Sequence, residues 1–136
     1  MNAGRFVGAS VVVFIVRTLL NAGFYGYAIH GRYEEMSAAH PGVLREVVPV
    51  YIALDLVTAV LLTYLIVKAA GAFGGGIKGG VTIGILIAIL CPILGGLYWY
   101  FSVTFYPANL FCIESVYQIV TYAIQGALAA AIYKVA

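Results

Sequence analysis

Four apolar segments, each long enough to cross a bilayer, occupy most of this 136-residue chain. They cover about residues 6–29, 47–70, 81–102 and 110–133, and a helix needs about 20 residues to span the hydrocarbon core. The apolar runs are continuous and lack the period-two alternation of membrane-spanning strands. The pattern therefore predicts an all-α, integral-membrane, up-down four-helix bundle, in which residues 1–136 form a single transmembrane domain.

Charged residues are scarce in this chain. They make up 9% of the sequence, and hydrophobic residues make up 64%. Soluble domains carry about 25% charged residues, so the composition is that of a membrane protein with the lipid bilayer as its main partner. The formal net charge is +2 and no basic run occurs, so no nucleic-acid partner is expected.

The sequence lacks the motifs of several enzyme and cofactor classes. Cys91 and Cys112 form no CxxC pair, and the glycine-rich stretch Gly71–Gly80 lacks the GK[ST] of a phosphate-binding loop. His30 and His40 lie in the polar connection after the first span, where histidines are more often solvated than bound to a metal. We therefore expect no catalytic residue, no metal and no cofactor, and we do not expect an enzyme.

The lysines and arginines predict the orientation of the bundle. Arg32 and Arg45 belong to the polar connection between the first two spans, His30–Glu46. The opposite side, with both termini and the glycine-rich turn, carries four others: Arg5, Lys68, Lys78 and Lys134. Because Lys and Arg are enriched in cytoplasmic loops, both termini are expected to lie in the cytoplasm.

Three of the four spans each contain one charged residue: Arg17, Asp55 and Glu114. A charge inside the hydrocarbon is costly unless it is paired or faces water, so such a residue is a candidate for a functional site. The helix directions place all three charges in the half of the bundle away from the termini. We expect Arg17 to pair with Asp55, the deeper acid, which leaves Glu114 available for a ligand or a proton.

Polar side chains extend each charge into a stripe at helical spacing. The stripes are Arg17, Asn21 and Tyr25 in the first span, Tyr51, Asp55 and Thr58 in the second, and Glu114, Gln118, Thr121 and Gln125 in the fourth. Residues three and four positions apart share one helix face. The stripes have two interpretations, a network that fixes the helix register and a site for a ligand or a proton.

Aromatic residues crowd the ends of the spans away from the termini. They form either an ordinary interfacial belt or an amphipathic mouth for a lipid, a quinone or another ring-bearing ligand. The second interpretation, taken with the polar stripes, defines the predicted ligand-binding residues: Arg17, Asn21, Tyr25, Tyr51, Asp55, Tyr98, Trp99, Glu114 and Gln118.

Small residues recur at four-residue spacing in the third span. Gly80, Gly84 and Ala88 form this line, and Gly126 and Ala130 form a similar pair near the end of the last span. Small residues let the backbones of two membrane helices approach closely. We interpret both lines as packing surfaces.

Several short motifs resemble those of small four-helix bacterial inner-membrane proteins of unassigned function. The motifs are the aromatic-to-glycine stretch Tyr27–Gly31, the pair Tyr106–Pro107, and the ending Gly126, Tyr133 and Lys134. The resemblance covers most of the chain. It implies a location in the bacterial inner membrane and implies no activity.

These observations favour a small integral-membrane binding or accessory protein, acting as a homo-oligomer or as a subunit of a membrane complex, with a lipid or quinone as its expected ligand. The alternative is a proton-coupled transporter of small molecules that uses Glu114 or Asp55, and a membrane enzyme ranks third. Binding ranks above transport because the spans are almost purely apolar on the side of the membrane where the chain termini lie. A transporter would need a polar path through that side.

Overall fold

The computed structural model describes residues 1–43 and 47–135. Leu44, Arg45 and Glu46, at the end of the predicted polar connection, and Ala136 lie outside the described residues. The described residues form no strand and contain six α-helices: α1 (Ala3–Gly23), α2 (His30–Ala39), α3 (Val48–Ala69), α4 (Gly76–Ala88), α5 (Leu94–Ser102) and α6 (Ala108–Tyr133). The predicted all-α fold is confirmed.

Four helical stretches of the described chain are long and apolar enough to cross a membrane: Ala3–Ala28, Val48–Phe73, Gly76–Ser102 and Ala108–Tyr133. Large apolar side chains on their outer faces remain exposed; Leu54, Val57 and Leu61 of α3 are each more than half exposed. Such surface is stable only against lipid. The chain is therefore a multi-pass membrane protein.

The two ends of the bundle differ in what they contain. The terminal end holds both chain termini, where the backbone N–H of Asn2 donates to the Tyr133 hydroxyl at 2.9 Å. It also holds the short 3₁₀ turn Ala70–Phe73 between α3 and α4. The loop end, on the opposite side of the bundle, holds α2 and the connection between α5 and α6.

The third span begins earlier than the sequence predicts, at Gly76 instead of residue 81. The glycine-rich stretch Gly71–Gly80 predicts a flexible turn before residue 81, and glycine weakens a helix. Gly79 and Gly80 are nevertheless fully helical and buried. A Cβ on Gly79 would collide with the backbone of Ala70, and one on Gly80 with the backbone of Gly126. Close packing therefore stabilises a helix that glycine propensity disfavours.

The seam between α4 and α6 continues along the line of small residues. A Cβ on Gly84 would collide with the Tyr122 carbonyl, and a Cβ on Gly126 would collide with the Gly80 carbonyl. The backbones are thus in direct contact, which confirms the predicted packing surfaces. The buried core beside this seam consists of Val13, Ala59, Leu62, Ile66, Ala70, Ile83, Ala88, Tyr122, Ala129 and Ala130.

The predicted polar connection between the first two spans contains a helix, α2. Its composition looks like a solvated loop because His30, Glu34 and Glu35 are exposed. Met36, by contrast, is buried, and Tyr33 is half-buried. One face of α2 is therefore docked at the loop end of the bundle.

Two spans depart from α-helical geometry near the loop end. Phe24–Ala28 forms a π-helical turn after α1, and Ile89–Ile93 forms another between α4 and α5. The second contains Pro92, which lacks an N–H and clashes with the preceding turn of an α-helix. The first contains no proline. Tyr25 of the first turn and Pro92 of the second line the same cavity.

Candidate functional site

Arg17 and Asp55 form an ion pair in the interior of the bundle. Arg17 Nε donates to Asp55 Oδ1 at 2.7 Å, and the two side chains are only 12% and 10% exposed. The predicted pairing of Arg17 with Asp55 is confirmed. A buried charge needs a partner of opposite sign, so the pair fixes α1 against α3.

Other polar groups complete the surroundings of this pair. Asn21 Nδ2 donates to the same Asp55 oxygen at 2.9 Å, and a guanidinium nitrogen of Arg17 donates to Gln125 Oε1 at 3.4 Å. The Arg17 guanidinium also lies 5.1 Å from the centre of the Tyr122 ring. We call these five residues the ion-pair cluster. It joins α1, α3 and α6, and its charges balance.

Glu114 has different partners. The hydroxyl of Tyr33, on α2, donates to Glu114 Oε1, and the hydroxyl of Tyr106, in the α5–α6 connection, donates to Glu114 Oε2. The two tyrosine oxygens lie 3.2 Å apart. We call these three residues the carboxylate cluster. Within residues 1–43 and 47–135, Arg17–Asp55 and His30–Glu34 are the ion pairs, so Glu114 has no cationic partner there. The three charges therefore lie in two separate clusters.

The triangle of oxygens in the carboxylate cluster is compatible with two protonation states. Each tyrosine carries one hydroxyl hydrogen. If Glu114 is ionised, both hydrogens go to the carboxylate, and the contact between the tyrosine oxygens has no hydrogen. If Glu114 is protonated, three hydrogens serve three contacts in a closed ring. The cluster can therefore hold one exchangeable proton.

Both tyrosines of this cluster are held in their neutral form. Burial raises the pKa of Tyr33 and the pKa of Tyr106, and the hydrogen bond that each makes to Glu114 raises both further. A neutral tyrosine is a hydrogen-bond donor to a carboxylate. Tyr33 and Tyr106 therefore support the carboxylate without supplying a positive charge.

Rings and hydrogen bonds connect the two clusters. Gln118 Nε2 donates to the Tyr25 hydroxyl at 3.0 Å, and Tyr25 meets the ring of Tyr117 edge-on with the centroids 5.7 Å apart. The Tyr117 hydroxyl then donates to Asn21 Oδ1 at 2.7 Å. Asn21 in turn binds Asp55. The polar interior thus continues from the loop end to the ion pair.

A cavity of about 120 Å³ lies beside Glu114 at the loop end. Its walls come from both π-helical turns, α5, the α5–α6 connection and α6: Tyr25, Pro92, Ile93, Gly96, Trp99, Tyr106, Phe111, Glu114, Ser115 and Gln118. Pockets for drug-sized ligands have volumes of about 300–1,000 Å³. This cavity can therefore enclose a ring or a headgroup, with the rest of a larger ligand outside it.

The structure divides the nine predicted site residues among three places. Tyr25, Trp99, Glu114 and Gln118 line the cavity, whereas Arg17, Asn21 and Asp55 belong to the ion-pair cluster. Tyr51 and Tyr98 lie elsewhere: Tyr51 is 52% exposed on α3 and Tyr98 is 82% exposed on α5. The structure therefore brings together most of the predicted residues, but only four of the nine border the cavity.

Sequence reasoning missed several residues of this site. The sequence marks Tyr33 and Tyr106 only as members of the aromatic belt. They lie outside the predicted spans, so helical spacing does not relate them to Glu114. Tyr117 could have been found, since it lies three residues after Glu114 and so shares a helix face with it. Pro92 and Phe111 have no polar group that marks them.

Polar atoms are also buried nearer the terminal end, although the sequence predicts an almost purely apolar interior there. Ser10 Oγ, Thr63 Oγ1 and Gln125 Nε2 are buried and have no hydrogen-bond partner among the described residues. Thr63 and Gln125 are 0% exposed. This part of the bundle is closely packed but not free of polar groups.

Comparisons with protein-family models, with curated proteins and with solved structures found no match to this chain.

Proposed function

We propose that this chain is a small integral-membrane binding protein whose cavity takes the ring or headgroup of an apolar ligand, of the lipid or quinone kind. The wall of the cavity carries the proposal: one carboxylate, Glu114, lies among aromatic rings, and both π-helical turns contribute residues to the same wall. π-Helical turns are frequent at functional sites. Pro92 accounts for one of them, whereas no proline accounts for the turn that contains Tyr25.

The ion-pair cluster supports the cavity without being the binding site. Its guanidinium and carboxylate neutralise each other at 2.7 Å, and removing either would leave an uncompensated buried charge. Glu114 differs, because two neutral tyrosines satisfy its oxygens without neutralising its charge. We therefore assign binding to Glu114, Gln118, Tyr25 and Trp99, and a scaffold role to Arg17, Asn21 and Asp55.

The location and assembly of the protein belong to the same proposal. Lys68, Lys78 and Lys134 lie at the terminal end, which supports cytoplasmic termini and a cavity on the outer side of a bacterial inner membrane. Ser37→Cys, in a chain lacking the native cysteines, should react with an impermeant reagent on intact cells; protection would reverse the orientation.

A role as a homo-oligomer or as an accessory subunit is consistent with one small cavity in one bundle, and cross-linking in native membranes would detect the partner.

A tryptophan titration tests the binding function. The chain has one tryptophan, Trp99, and it lines the cavity. We expect the protein in lipid nanodiscs to show saturable Trp99 quenching by one of three probes: decylubiquinone, dodecyltrimethylammonium or phosphatidylethanolamine. The test variant is Gly96→Leu, because a Cβ there already meets the Phe111 ring at 3.1 Å; the matched control is Gly95→Leu, where a Cβ meets nothing within 4 Å.

Gly96→Leu should abolish the saturable quenching, and Gly95→Leu should keep it. Quenching that never saturates for any probe, or that is equal in both variants, would mean that Trp99 senses only the bulk lipid. In that case the cavity does not bind, and the proposed function is wrong.

Proton-coupled transport is the second candidate, and two observations favour it. The carboxylate cluster can hold one proton when no cation is bound, and Ser10 Oγ, Thr63 Oγ1 and Gln125 Nε2 are buried without a hydrogen-bond partner in the described part of the chain. Against it stands the close backbone contact of α4 and α6 in the same half. In proteoliposomes, proton movement that is driven by a dodecyltrimethylammonium gradient and requires the protein would establish transport. If no protons move, binding remains the proposed function.

A further inference from the structure

The cavity wall carries one formal charge, and it is negative. Of the residues that line it, Glu114 is the one with a carboxyl group, and none of the others has a basic side chain. The nearest buried cation on the polar stripes, Arg17, is already bound to Asp55, Gln125 and the Tyr122 ring. A carboxylate in low-dielectric surroundings without a counter-charge favours the entry of a cation.

Glu114 retains acceptor capacity after its two tyrosines are counted. An ionised carboxylate offers about four lone-pair sites, and Tyr33 and Tyr106 take one on each oxygen. The remaining sites belong to a residue that lines the cavity. A ligand with N–H groups or a positive charge can therefore bind without displacing either tyrosine.

About half of the donor hydrogens around the cavity are used within the protein. Gln118 Nε2 donates to the Tyr25 hydroxyl at 3.0 Å, Ser115 Oγ donates to the Phe111 carbonyl at 2.8 Å, and Tyr106 donates to Glu114. A quinone needs donors for its two carbonyl oxygens, whereas a cation needs acceptors. Neutral donors remain on Tyr25, Trp99 and Gln118, so the carboxylate of Glu114, and not the number of donors, is what favours the cation.

The aromatic walls point the same way. Tyr25, Trp99, Tyr106 and Phe111 surround the space beside Glu114. The face of an aromatic ring attracts an ammonium group, and cages of several rings are used to recognise quaternary ammonium ligands. Carboxylate and rings together make a site for a positive group that also has apolar surface.

We propose that the ligand is an alkylammonium: a positively charged nitrogen head held by Glu114 among these rings, with its alkyl chain extending into the bilayer. The proposal rests on the binding function argued above and specifies its ligand class. The cavity of about 120 Å³ suits a small head rather than a whole molecule. The same chemistry occurs in the ammonium headgroups of zwitterionic lipids and in free amphipathic amines, and the experiment separates these two sources.

The test uses the full chain in nanodiscs of phosphatidylglycerol, which contains no ammonium group. Dodecyltrimethylammonium should quench Trp99 saturably, and Glu114→Gln should raise its Kd at least about tenfold. The matched control is Glu34→Gln, which removes an exposed acid on α2 whose partner is His30 and should leave the Kd unchanged. Since all three proteins are in the same lipid, bulk partitioning of the probe is the same.

Phe111→Leu gives a second measurement that leaves Glu114 and its bonds in place, in case Glu114→Gln does not fold. It should weaken binding of the cation about two- to thirtyfold, whereas Phe101→Leu, at an exposed ring that does not line the cavity, should leave the Kd unchanged. Addition of phosphatidylethanolamine to the nanodisc then identifies the source: competition with the probe indicates a lipid headgroup, and no competition indicates a free amine.

Two results would overturn the proposal, and they differ from each other. Saturable quenching by decylubiquinone but not by dodecyltrimethylammonium would leave the binding function standing and reject the cation. Tight cation binding that is unchanged in both Glu114→Gln and Phe111→Leu would also reject it. Quenching by neither probe would reject the binding function itself.

Discussion

The spans contain two carboxylates that differ in what surrounds them. Asp55 is buried and is bound by a guanidinium and an amide from α1, whereas Glu114 is half-buried and is bound by two tyrosine hydroxyls from segments outside the spans. The first carboxylate is neutralised by the arginine, and the second has only neutral partners among the described residues. On the function proposed above, the first charge serves packing and the second serves binding, and the partners of each charge decide which.

The two carboxylates also differ in what they hold together. The ion-pair cluster joins three spans, α1, α3 and α6, near the middle of the bundle. The carboxylate cluster joins one span, α6, to α2 and to the α5–α6 connection at the loop end. Loss of the first should therefore affect the whole bundle, and loss of the second should affect mainly the loop end.

The largest expected effect is at the ion pair. Arg17→Ala should lower the free energy of unfolding by about 3–5 kcal/mol, because it leaves Asp55 buried without a cation. Glu114→Gln should lower it by only about 1 kcal/mol, since an amide keeps the shape and one acceptor oxygen. Thermal and denaturant unfolding in one detergent, with the exposed Arg32→Ala as the control, would measure both. Similar small losses for Arg17→Ala and Glu114→Gln would break the distinction drawn between the two carboxylates.

An intermediate effect is expected from two glycines, one beside each cluster. Gly84→Ala should destabilise the bundle by about 1–3 kcal/mol, because its Cβ would collide with the backbone of Tyr122, whose ring lies under Arg17. Gly96→Ala should cost less than about 1 kcal/mol, since its Cβ meets only the edge of the Phe111 ring.

Gly95→Ala is the matched control for this pair, because a Cβ there meets nothing within 4 Å. The melting temperature should therefore be lowest for Gly84→Ala, higher for Gly96→Ala and highest for Gly95→Ala. A Gly96→Ala protein as unstable as Gly84→Ala would show that the cavity region is packed as rigidly as the ion-pair region.

The smallest effect concerns alkaline pH. The pKa values of Tyr33 and Tyr106 are raised in the folded protein, so their contribution to stability is complete below the ordinary tyrosine pKa of about 10. Above that pH the unfolded chain loses these protons while the folded chain keeps them, and stability falls. The double variant Tyr33→Phe/Tyr106→Phe should lose less melting temperature between pH 9 and pH 11 than the natural chain. An equal loss would mean that the two tyrosines are not buried against Glu114.

The fold followed from the sequence to a large extent. Runs of about 20 apolar residues permit few alternatives to a bundle of spans, and the line of Gly80 and Gly84 correctly indicated close helix packing. The predicted start of the third span was wrong. Glycine weakens an isolated helix, but Gly79 and Gly80 are helical because they pack directly against neighbouring backbones. Helix α2 was missed, since its exposed charges conceal the one buried side chain, Met36.

The site was predictable only in part. Charges in hydrocarbon are rare, so Arg17, Asp55 and Glu114 stood out, and helical spacing correctly related Gln118 to Glu114 and Asn21 to Arg17. The same spacing placed Tyr51 with Asp55, and its position at the loop end of the third span placed Tyr98 with the aromatic mouth. Both residues are more than half exposed, because neither spacing nor depth along a helix determines how that helix is rotated toward its neighbours.

The sequence by itself determined that four helices cross a membrane, that one of them packs through glycines, and that three charges lie in the same half of the bundle. Local composition and spacing are sufficient for these conclusions, because they concern single helices. Only the tertiary structure decided which acid receives the arginine and which has no cationic partner within residues 1–43 and 47–135. That choice depends on the rotation of each helix about its own axis and on the docking of Tyr33 from α2, which no periodicity in the chain specifies.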